Sequence, residues 1–363
     1  MEITGTITGI TYNVQCAEEL RTVTFDAFDC NTSPPACLVV RGTDRIALSK
    51  WVSPKRTRSY PYERVYNTLT HQRRVTVIPV LKDEGASGER DFLQWDTVML
   101  MSLLDVHVIL GYYNQATARG KKVTNFMFDS TYITKQLKEL FTSEQQARQW
   151  NIAQMQYLQS GLLERVLDGY STIANQTGAT FHDDAGIEQF RRSMHDNLER
   201  FMEFSRKKSV LAQNREFNTI QPKEALSSAT KAKVTIHDSW GGLYYFTVDE
   251  VAIDNNTLYM IEDKHTAHGV IPNVSDIKDG LLKMIFYKNM TGVTADGVPM
   301  NHIPTVSLTS RRLVSSISTA DKEANIEQFV SENNLKPVQK KLLEYLFKEA
   351  KINGIEIRLH HAE

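Results

Sequence analysis

Acidic residues and a lysine interrupt an otherwise apolar stretch, VDEVAIDNNTLYMIEDKH, between Val248 and His265. Carboxylates and lysine are the side chains that hold a divalent cation and activate water. Two adjacent carboxylates repel and destabilise a sheet, a cost that is removed if a cation lies between them. The alternative is a solvated hairpin face without a function. The apolar residues Tyr259, Met260 and Ile261 favour a buried strand, in which unpaired charge is costly.

The sequence DNNT at Asp254–Thr257 predicts a tight turn, because asparagine tolerates the left-handed backbone conformations that hairpin turns require. If the two asparagines form the centre of the turn, Asp249 faces Glu262 across the two strands. Successive side chains alternate between the faces of a sheet, so Asp249, Glu262 and Lys264 share one face. The spacing therefore predicts a patch that contains two carboxylates and a lysine.

Glu250 and Asp263 are predicted to lie on the opposite face of the same hairpin. A bulge that shifts the register by one residue would exchange the faces. Glu250 is therefore the alternative to Asp249 as a metal ligand.

An aspartate on one strand, Glu-x-Lys on the next strand and a following helix resemble the active site of the PD-(D/E)xK nuclease superfamily. Asp249, Glu262 and Lys264 carry the resemblance, and SDIKDGLLKMIFYKN is the following helix. Val248 stands where the superfamily has proline. The resemblance covers roughly residues 216–315. It implies Mg²⁺-dependent hydrolysis of DNA, with Asp249 and Glu262 as metal ligands and Lys264 near the attacking water.

A carboxylate on the helix before the first core strand often completes the metal site in nucleases of this class. Glu224 is the candidate by its order along the chain, with Glu216 behind it, although either can be an ordinary surface residue. His265 could contact a phosphate or form a polar strand end. Lys283 and Lys288 could reach DNA phosphate or lie on a solvated helix face.

The pattern along the chain predicts an α/β (α+β) fold in three parts. Residues 1–128 form a β-rich α/β unit, and residues 129–212 form a helical connecting section. Residues 213–363 form a mixed-sheet nuclease core of restriction-endonuclease type with C-terminal helices.

Basic and aromatic residues alternate in the segment KWVSPKRTRSYPYERVYNT. Cations neutralise phosphates, arginine can read guanine edges and tyrosine can stack on bases, although a basic surface loop is the simpler explanation. The candidate DNA-binding residues here are Lys50, Lys55, Arg56, Arg58, Tyr60 and Arg64.

The next loop, KDEGASGERDFLQWDT, is unusually acidic. Its carboxylates could form a second metal site, or they could cap the following helix and order the loop. They belong to Asp83, Glu84, Asp91 and Asp96.

The composition excludes several classes of protein. A net charge of −1 over 363 residues is not that of a protein that coats nucleic acid indiscriminately, although local basic surfaces remain compatible with it. No apolar run reaches the length of a membrane span, so we expect a cytoplasmic protein without membrane contact. The three cysteines suit reduced thiols better than a disulfide framework or a zinc site.

These observations favour a sequence-specific double-stranded DNA endonuclease of the type II restriction kind. Restriction sites are usually palindromic, so a homodimer is expected. A cognate DNA methyltransferase is expected as a genetic partner that need not contact the protein. The alternatives are a structure-selective repair or recombination nuclease of the same superfamily, and a non-catalytic DNA-binding defence protein.

Overall fold

The structure is a computed structural model that describes residues 1–56, 60–120, 122–182, 184–195, 198–218, 230–321 and 325–362. The chain divides into a continuous unit, Glu19–Lys208, and a discontinuous unit, Met1–Glu18 with Ser209–Glu363. The predicted boundary at residue 212 lies near the observed division. The first 18 residues join the C-terminal part, whereas the sequence assigned them to the N-terminal unit.

The strands are numbered in chain order. They are β1 (Glu2–Ile7), β2 (Thr22–Thr24), β3 (Ala36–Arg41), β4 (Asp44–Lys50), β5 (Arg74–Pro79), β6 (Leu81–Asp83), β7 (Arg90–Phe92), β8 (His107–Gly111), β9 (Tyr113–Arg119), β10 (Lys122–Phe128), β11 (Thr230–Asp238), β12 (Leu243–Asp254), β13 (Thr257–Thr266), β14 (Thr291–Ala295), β15 (Val298–Pro299), β16 (Asn301–Ser310), β17 (Ile317–Ser318) and β18 (Glu356–His361).

The helices are numbered in the same way. They are α1 (Pro61–Tyr66), α2 (Trp95–Leu103), α3 (Ser130–Thr142), α4 (Ala147–Tyr157), α5 (Leu163–Thr177), α6 (Asp184–His195), α7 (Leu198–Asn218), α8 (Val274–Lys288), α9 (Ile326–Glu332) and α10 (Pro337–Asn353). A π-helical turn at Leu158–Leu162 joins α4 to α5.

The continuous unit contains a five-stranded sheet in the order β2-β3-β4-β5-β8. Strand β8 lies at its edge, where backbone groups need partners. Side chains of α4 supply them: the Asn151 carbonyl accepts from the Val108 N–H at 2.6 Å, and the Trp150 indole donates to the Val108 carbonyl at 2.8 Å. The helices α3–α7 occupy the section that the sequence predicts as helical.

The discontinuous unit contains a nine-stranded sheet in the order β15-β14-β1-β11-β12-β13-β16-β18-β17. Strands β11, β12 and β13 form an antiparallel meander, and β16 lies parallel to β13. On the other side of the meander, β1 pairs in parallel with β11. The N-terminal strand therefore lies inside the sheet that carries the candidate site.

Helix α8 follows β13 and packs against β13 and β16. It begins after Asn273, whose side chain accepts from the Asp276 N–H at 2.8 Å and caps the first turn. Its apolar residues, including Leu281, Ile285 and Phe286, are fully or almost fully buried. This burial fixes α8 over one face of the sheet. The mixed α/β class predicted from the sequence is confirmed.

Candidate functional site

The hairpin of β12 and β13 has the predicted turn and register. Asn255 and Asn256 both have positive φ angles, 45° and 62°. The pairing runs from Asp254–Thr257 to Glu250–Ile261. The side-chain chemistry of the two asparagines therefore sets the register, as the sequence predicts.

A bulge interrupts β12 next to Asp249. Thr230 of β11 pairs with Val251 and Ala232 pairs with Val248, so two residues of β12 oppose one residue of β11. Bulges commonly re-aim side chains near functional sites. This bulge does not exchange the faces, because the electrostatic neighbours of Asp249 are Glu262, Lys264 and Lys283.

Glu250 and Asp263 lie on the opposite face, where their charges interact with each other and with His360. Ser307 contacts the His360 Nε2 at 3.1 Å on this face. Burial and the neighbouring charge of Asp263 raise the pKa of Glu250. Of the two candidates from β12, Asp249 is the one that lies with Glu262 and Lys264.

Glu262 is 2% exposed and two ammonium groups compensate its charge. The Lys264 Nζ lies 2.8 Å from its Oε1, and the Lys283 Nζ lies 2.8 Å from Oε1 and 2.9 Å from Oε2. Burial by itself would raise the pKa of Glu262. The two lysines outweigh it and lower the pKa to about 2. Glu262 is therefore ionised at neutral pH.

Asp249 is the less compensated carboxylate of the pair. Its Oδ2 accepts from the backbone N–H of Asp263 at 3.0 Å. Burial and then the charge of Glu262 raise the pKa of Asp249 to about 7, against the opposing effect of Lys283 and Lys264. A cation bound between the two carboxylates would remove this repulsion.

Helix α8 completes this face of the site. Gly280 allows a close approach, since a Cβ atom there would lie 3.2 Å from the Lys264 Cε. Asp279 lies beside Gly280, and its Oδ2 is 3.9 Å from the Lys264 Nζ. One turn later, Lys283 contacts Glu262. The sequence treats Lys283 as a phosphate contact or a solvated residue, whereas the structure turns it toward Glu262.

The raised pKa of Asp249 gives a stability prediction for the metal-free protein. The native state keeps this proton up to about pH 7, whereas the unfolded chain releases it near the ordinary value of 3.8. The contribution of Asp249 to the stability of the wild type therefore falls as pH rises from about 4 to about 7. Asp249→Asn keeps an acceptor for the Asp263 N–H and lacks the charge. Its free energy of unfolding relative to the wild type should increase by about 2 kcal/mol between pH 4 and pH 8.

Urea denaturation of both proteins in EDTA at the two pH values measures this difference. The prediction is wrong if the difference in free energy of unfolding between Asp249→Asn and the wild type is the same at pH 4 and pH 8.

The expected third carboxylate, Glu224, lies outside the described residues. Glu216, the second candidate, lies in the last turn of α7, near the site. Its Oε1 accepts from the Thr247 hydroxyl at 2.6 Å. Its charge is one of those that raise the pKa of Lys283. Within the described parts of the chain, no group of three or more histidine, cysteine, aspartate or glutamate side chains is arranged to hold a metal ion. Among the described residues, the predicted metal ligands are therefore limited to the pair Asp249 and Glu262, with Glu216 nearby.

Two of the predicted DNA-binding residues donate hydrogen bonds to backbone carbonyls within the continuous unit. Lys50 is 8% exposed; its ammonium donates to the carbonyl of Cys30 and, at 2.5 Å, to that of Ser33. Arg64 is half-buried and donates to the Lys50 carbonyl at 2.6 Å. Strand β4 turns Lys50 inward, and its charge orders a loop, so the structure does not support contact between Lys50 and phosphate. Contact of Arg64 with DNA stays a prediction.

The other predicted DNA-binding residues differ in how exposed they are. Lys55 is exposed, Arg56 is half-buried with its guanidinium 3.4 Å from the Tyr62 hydroxyl, and Tyr60 is 45% exposed. Arg58 lies outside the described residues. His265 contacts the Thr309 hydroxyl at 3.0 Å and, by strand alternation, lies on the face opposite Lys264.

Carboxylates of the acidic loop form hydrogen bonds and ion pairs within the loop and with neighbouring residues. The Asp83 carboxylate is 1% exposed and accepts from the Gly85 N–H, while its Oδ1 lies 2.7 Å from the His182 Nδ1. Glu84 pairs with Lys82, and Asp91 accepts from the Ser53 hydroxyl. These contacts agree with the loop-ordering part of the alternative. The predicted capping of the next helix is not observed, because the N-cap residue of α2 is Gln94 and its side chain makes no capping hydrogen bond.

A scan against protein-family models, a search of curated proteins and a search of solved structures each find no match to this chain. Every helix in the described ranges is too short or too polar to cross a lipid bilayer.

Proposed function

We propose that the protein is a Mg²⁺-dependent endonuclease that cleaves double-stranded DNA at a specific sequence, in the manner of a type II restriction enzyme. The observation that carries the proposal is the convergence of Asp249, Glu262 and Lys264 on one face of the β12–β13 hairpin. Two carboxylates with an adjacent ammonium are suited to metal-assisted hydrolysis of a phosphodiester.

The donor set fits magnesium. Mg²⁺ is commonly bound by one or two carboxylates, with water and substrate phosphate in the remaining positions. Asp249 and Glu262 would hold the ion, and the raised pKa of Asp249 marks a carboxylate that lacks a full counter-charge. When bound, the ion supplies Lewis-acid stabilisation of the phosphate and lowers the pKa of a coordinated water.

Lys264 has two roles in this proposal. Its ammonium is held 2.8 Å from Glu262 and 3.9 Å from Asp279, so it is fixed beside the carboxylates. From there it orients the attacking water and stabilises negative charge on the phosphate. Gly280 admits α8 close to this side chain, since a Cβ atom at this position would lie 3.2 Å from the Lys264 Cε.

The order of elements adds support. Helix α7, the meander β11-β12-β13, helix α8 and, after the β14–β15 hairpin, the parallel strand β16 occur in an order like the αβββαβ order of the superfamily that the sequence resembles. The two acidic positions and the lysine fall on the second and third strands of this series. This agreement is one of topology, so the function is argued from the site.

Recognition of DNA in this proposal uses the exposed Lys55 and Tyr60 and the half-buried Arg56 of the continuous unit. A homodimer would match the two-fold symmetry of a palindromic site. A DNA methyltransferase that modifies the same sequence would protect the host.

The test is incubation of the purified protein with plasmids of varied sequence in Mg²⁺ or in EDTA. Discrete fragments that appear only with Mg²⁺ support a restriction enzyme, and sequencing their ends gives the recognition site. Random nicking, or cleavage confined to branched DNA, would instead favour a repair or recombination nuclease. Plasmids that stay intact under all conditions would exclude the nuclease proposal and favour a non-catalytic DNA-binding protein.

A further inference from the structure

Glu262 is held by two cations that come from different elements. Lys264 belongs to the same strand and contacts only Oε1, whereas Lys283 reaches across from α8 and contacts both oxygens. Lys264 has a second carboxylate nearby, Asp279, at 3.9 Å. The two lysines therefore differ in what they do to Glu262: Lys283 occupies both of its oxygens.

We propose that Lys283 is a built-in counter-cation that competes with a divalent metal ion for Glu262. This inference rests on the proposed metal site. A cation that interacts with both carboxylate oxygens uses lone pairs that a metal ion would need, and its positive charge repels that ion. The lysine thereby keeps Glu262 ionised and in place, and it weakens the binding of a metal ion in the absence of DNA.

The charges on this face give the competition its direction. Asp249, Glu262, Asp279 and Glu216 interact with Lys264 and Lys283, so the fully ionised cluster carries a net charge of −2. A divalent ion brings this charge to zero, and a bound phosphodiester then leaves it at −1. Without Lys283 the cluster carries −3, which favours the metal ion alone and disfavours the phosphate.

The consequence is coupling between metal and DNA. A phosphate near the site gives the Lys283 ammonium a new partner and leaves Glu262 to the metal, so each ligand strengthens the binding of the other. Lys283 is a positioning residue in this proposal, because it acts through Glu262.

The experiment is calorimetric titration of the DNA-free protein with Mn²⁺ at pH 8. Lys283→Met should bind Mn²⁺ about tenfold more tightly than the wild type, because a charge-assisted contact to Glu262 no longer competes. Lys288→Met is the matched control: it removes an equal charge from the end of the same helix, at an exposed position. Its Mn²⁺ affinity should equal that of the wild type.

A second measurement separates competition from a general structural effect. With Ca²⁺ in place of Mg²⁺, Lys283→Met should bind linear plasmid DNA several-fold more weakly than the wild type, opposite in sign to its effect on Mn²⁺. If Lys283→Met does not fold, Lys283→Gln removes the charge and keeps a hydrogen-bond donor, and both titrations are repeated with it. In the Glu262→Gln background, loss of Lys283 should no longer strengthen Mn²⁺ binding.

Unchanged or weaker Mn²⁺ binding by the Lys283 variants would overturn the inference, and so would the absence of Mn²⁺ binding in every variant. The proposed nuclease function is judged separately. Intact plasmid together with tighter Mn²⁺ binding in Lys283→Met would reject the function and keep the inference. Cleavage of plasmid by the wild type, without a gain in Mn²⁺ affinity in Lys283→Met, would support the function and reject the inference.

Discussion

Lys264→Ala is expected to lower the rate of Mg²⁺-dependent DNA cleavage about 1,000-fold, a loss typical of removing a group that assists proton transfer and stabilises developing charge. The protein should remain folded, because Lys283 still donates to both oxygens of Glu262. Single-turnover cleavage of a plasmid measures the chemical step, and gel-shift titration with Ca²⁺ measures DNA binding. Binding should change little compared with cleavage.

Lys348→Ala, at an exposed position of α10, is the control for the loss of one positive charge from the same unit, and its cleavage rate should match that of the wild type. If Lys264→Ala instead cuts DNA at the wild-type rate, Lys264 has no role in the chemistry. A loss confined to Lys283→Ala would then assign the catalytic role to the lysine of α8.

Glu262→Ala is expected to be the most destabilising single change at the site. It leaves the ammonium groups of Lys264 and Lys283, each with 16% of its side chain exposed, without the carboxylate that holds them. Removal of one partner from a buried ion pair commonly costs several kcal/mol, and we expect about 3 kcal/mol here. Thermal and urea denaturation of the metal-free protein at pH 8 measure it.

Glu262→Gln is the matched variant. It keeps an oxygen acceptor for Lys283, so it should lose less stability than Glu262→Ala. At the same pH, Asp249→Asn should gain stability. The two carboxylates of one site thus have effects of opposite sign, because one is compensated by lysines and the other is not. Equal stability of Glu262→Ala and wild type would show that the lysines relax into water at no cost.

The hairpin was predictable from sequence because its determinants are local. Two asparagines fix the turn, strand alternation assigns the faces, and both follow from the backbone preferences of neighbouring residues. Asp249, Glu262 and Lys264 are accordingly found on one face. The bulge in β12 was considered as a way to exchange the faces, and it occurs without doing so.

Features that depend on distant parts of the chain were not predicted from the sequence. The position of β1 beside β11 joins residues more than two hundred positions apart, and no local pattern encodes it. The inward direction of Lys283 depends on the packing of α8 onto β13 and β16. Lys50 resembled an exposed cation in a basic segment. Its burial is possible because two backbone carbonyls of a distant loop receive its ammonium group.

The pairing of β1 with β11 also has a consequence for synthesis of the protein on the ribosome. Strand β1 emerges before the continuous unit, Glu19–Lys208, and its parallel partner β11 emerges after that unit has been made. The continuous unit can fold in the meantime, whereas β1 must wait. The nine-stranded sheet is complete only when β18 has joined it. The order of translation therefore delays assembly of the full sheet around Asp249 and Glu262 until β18 has been made.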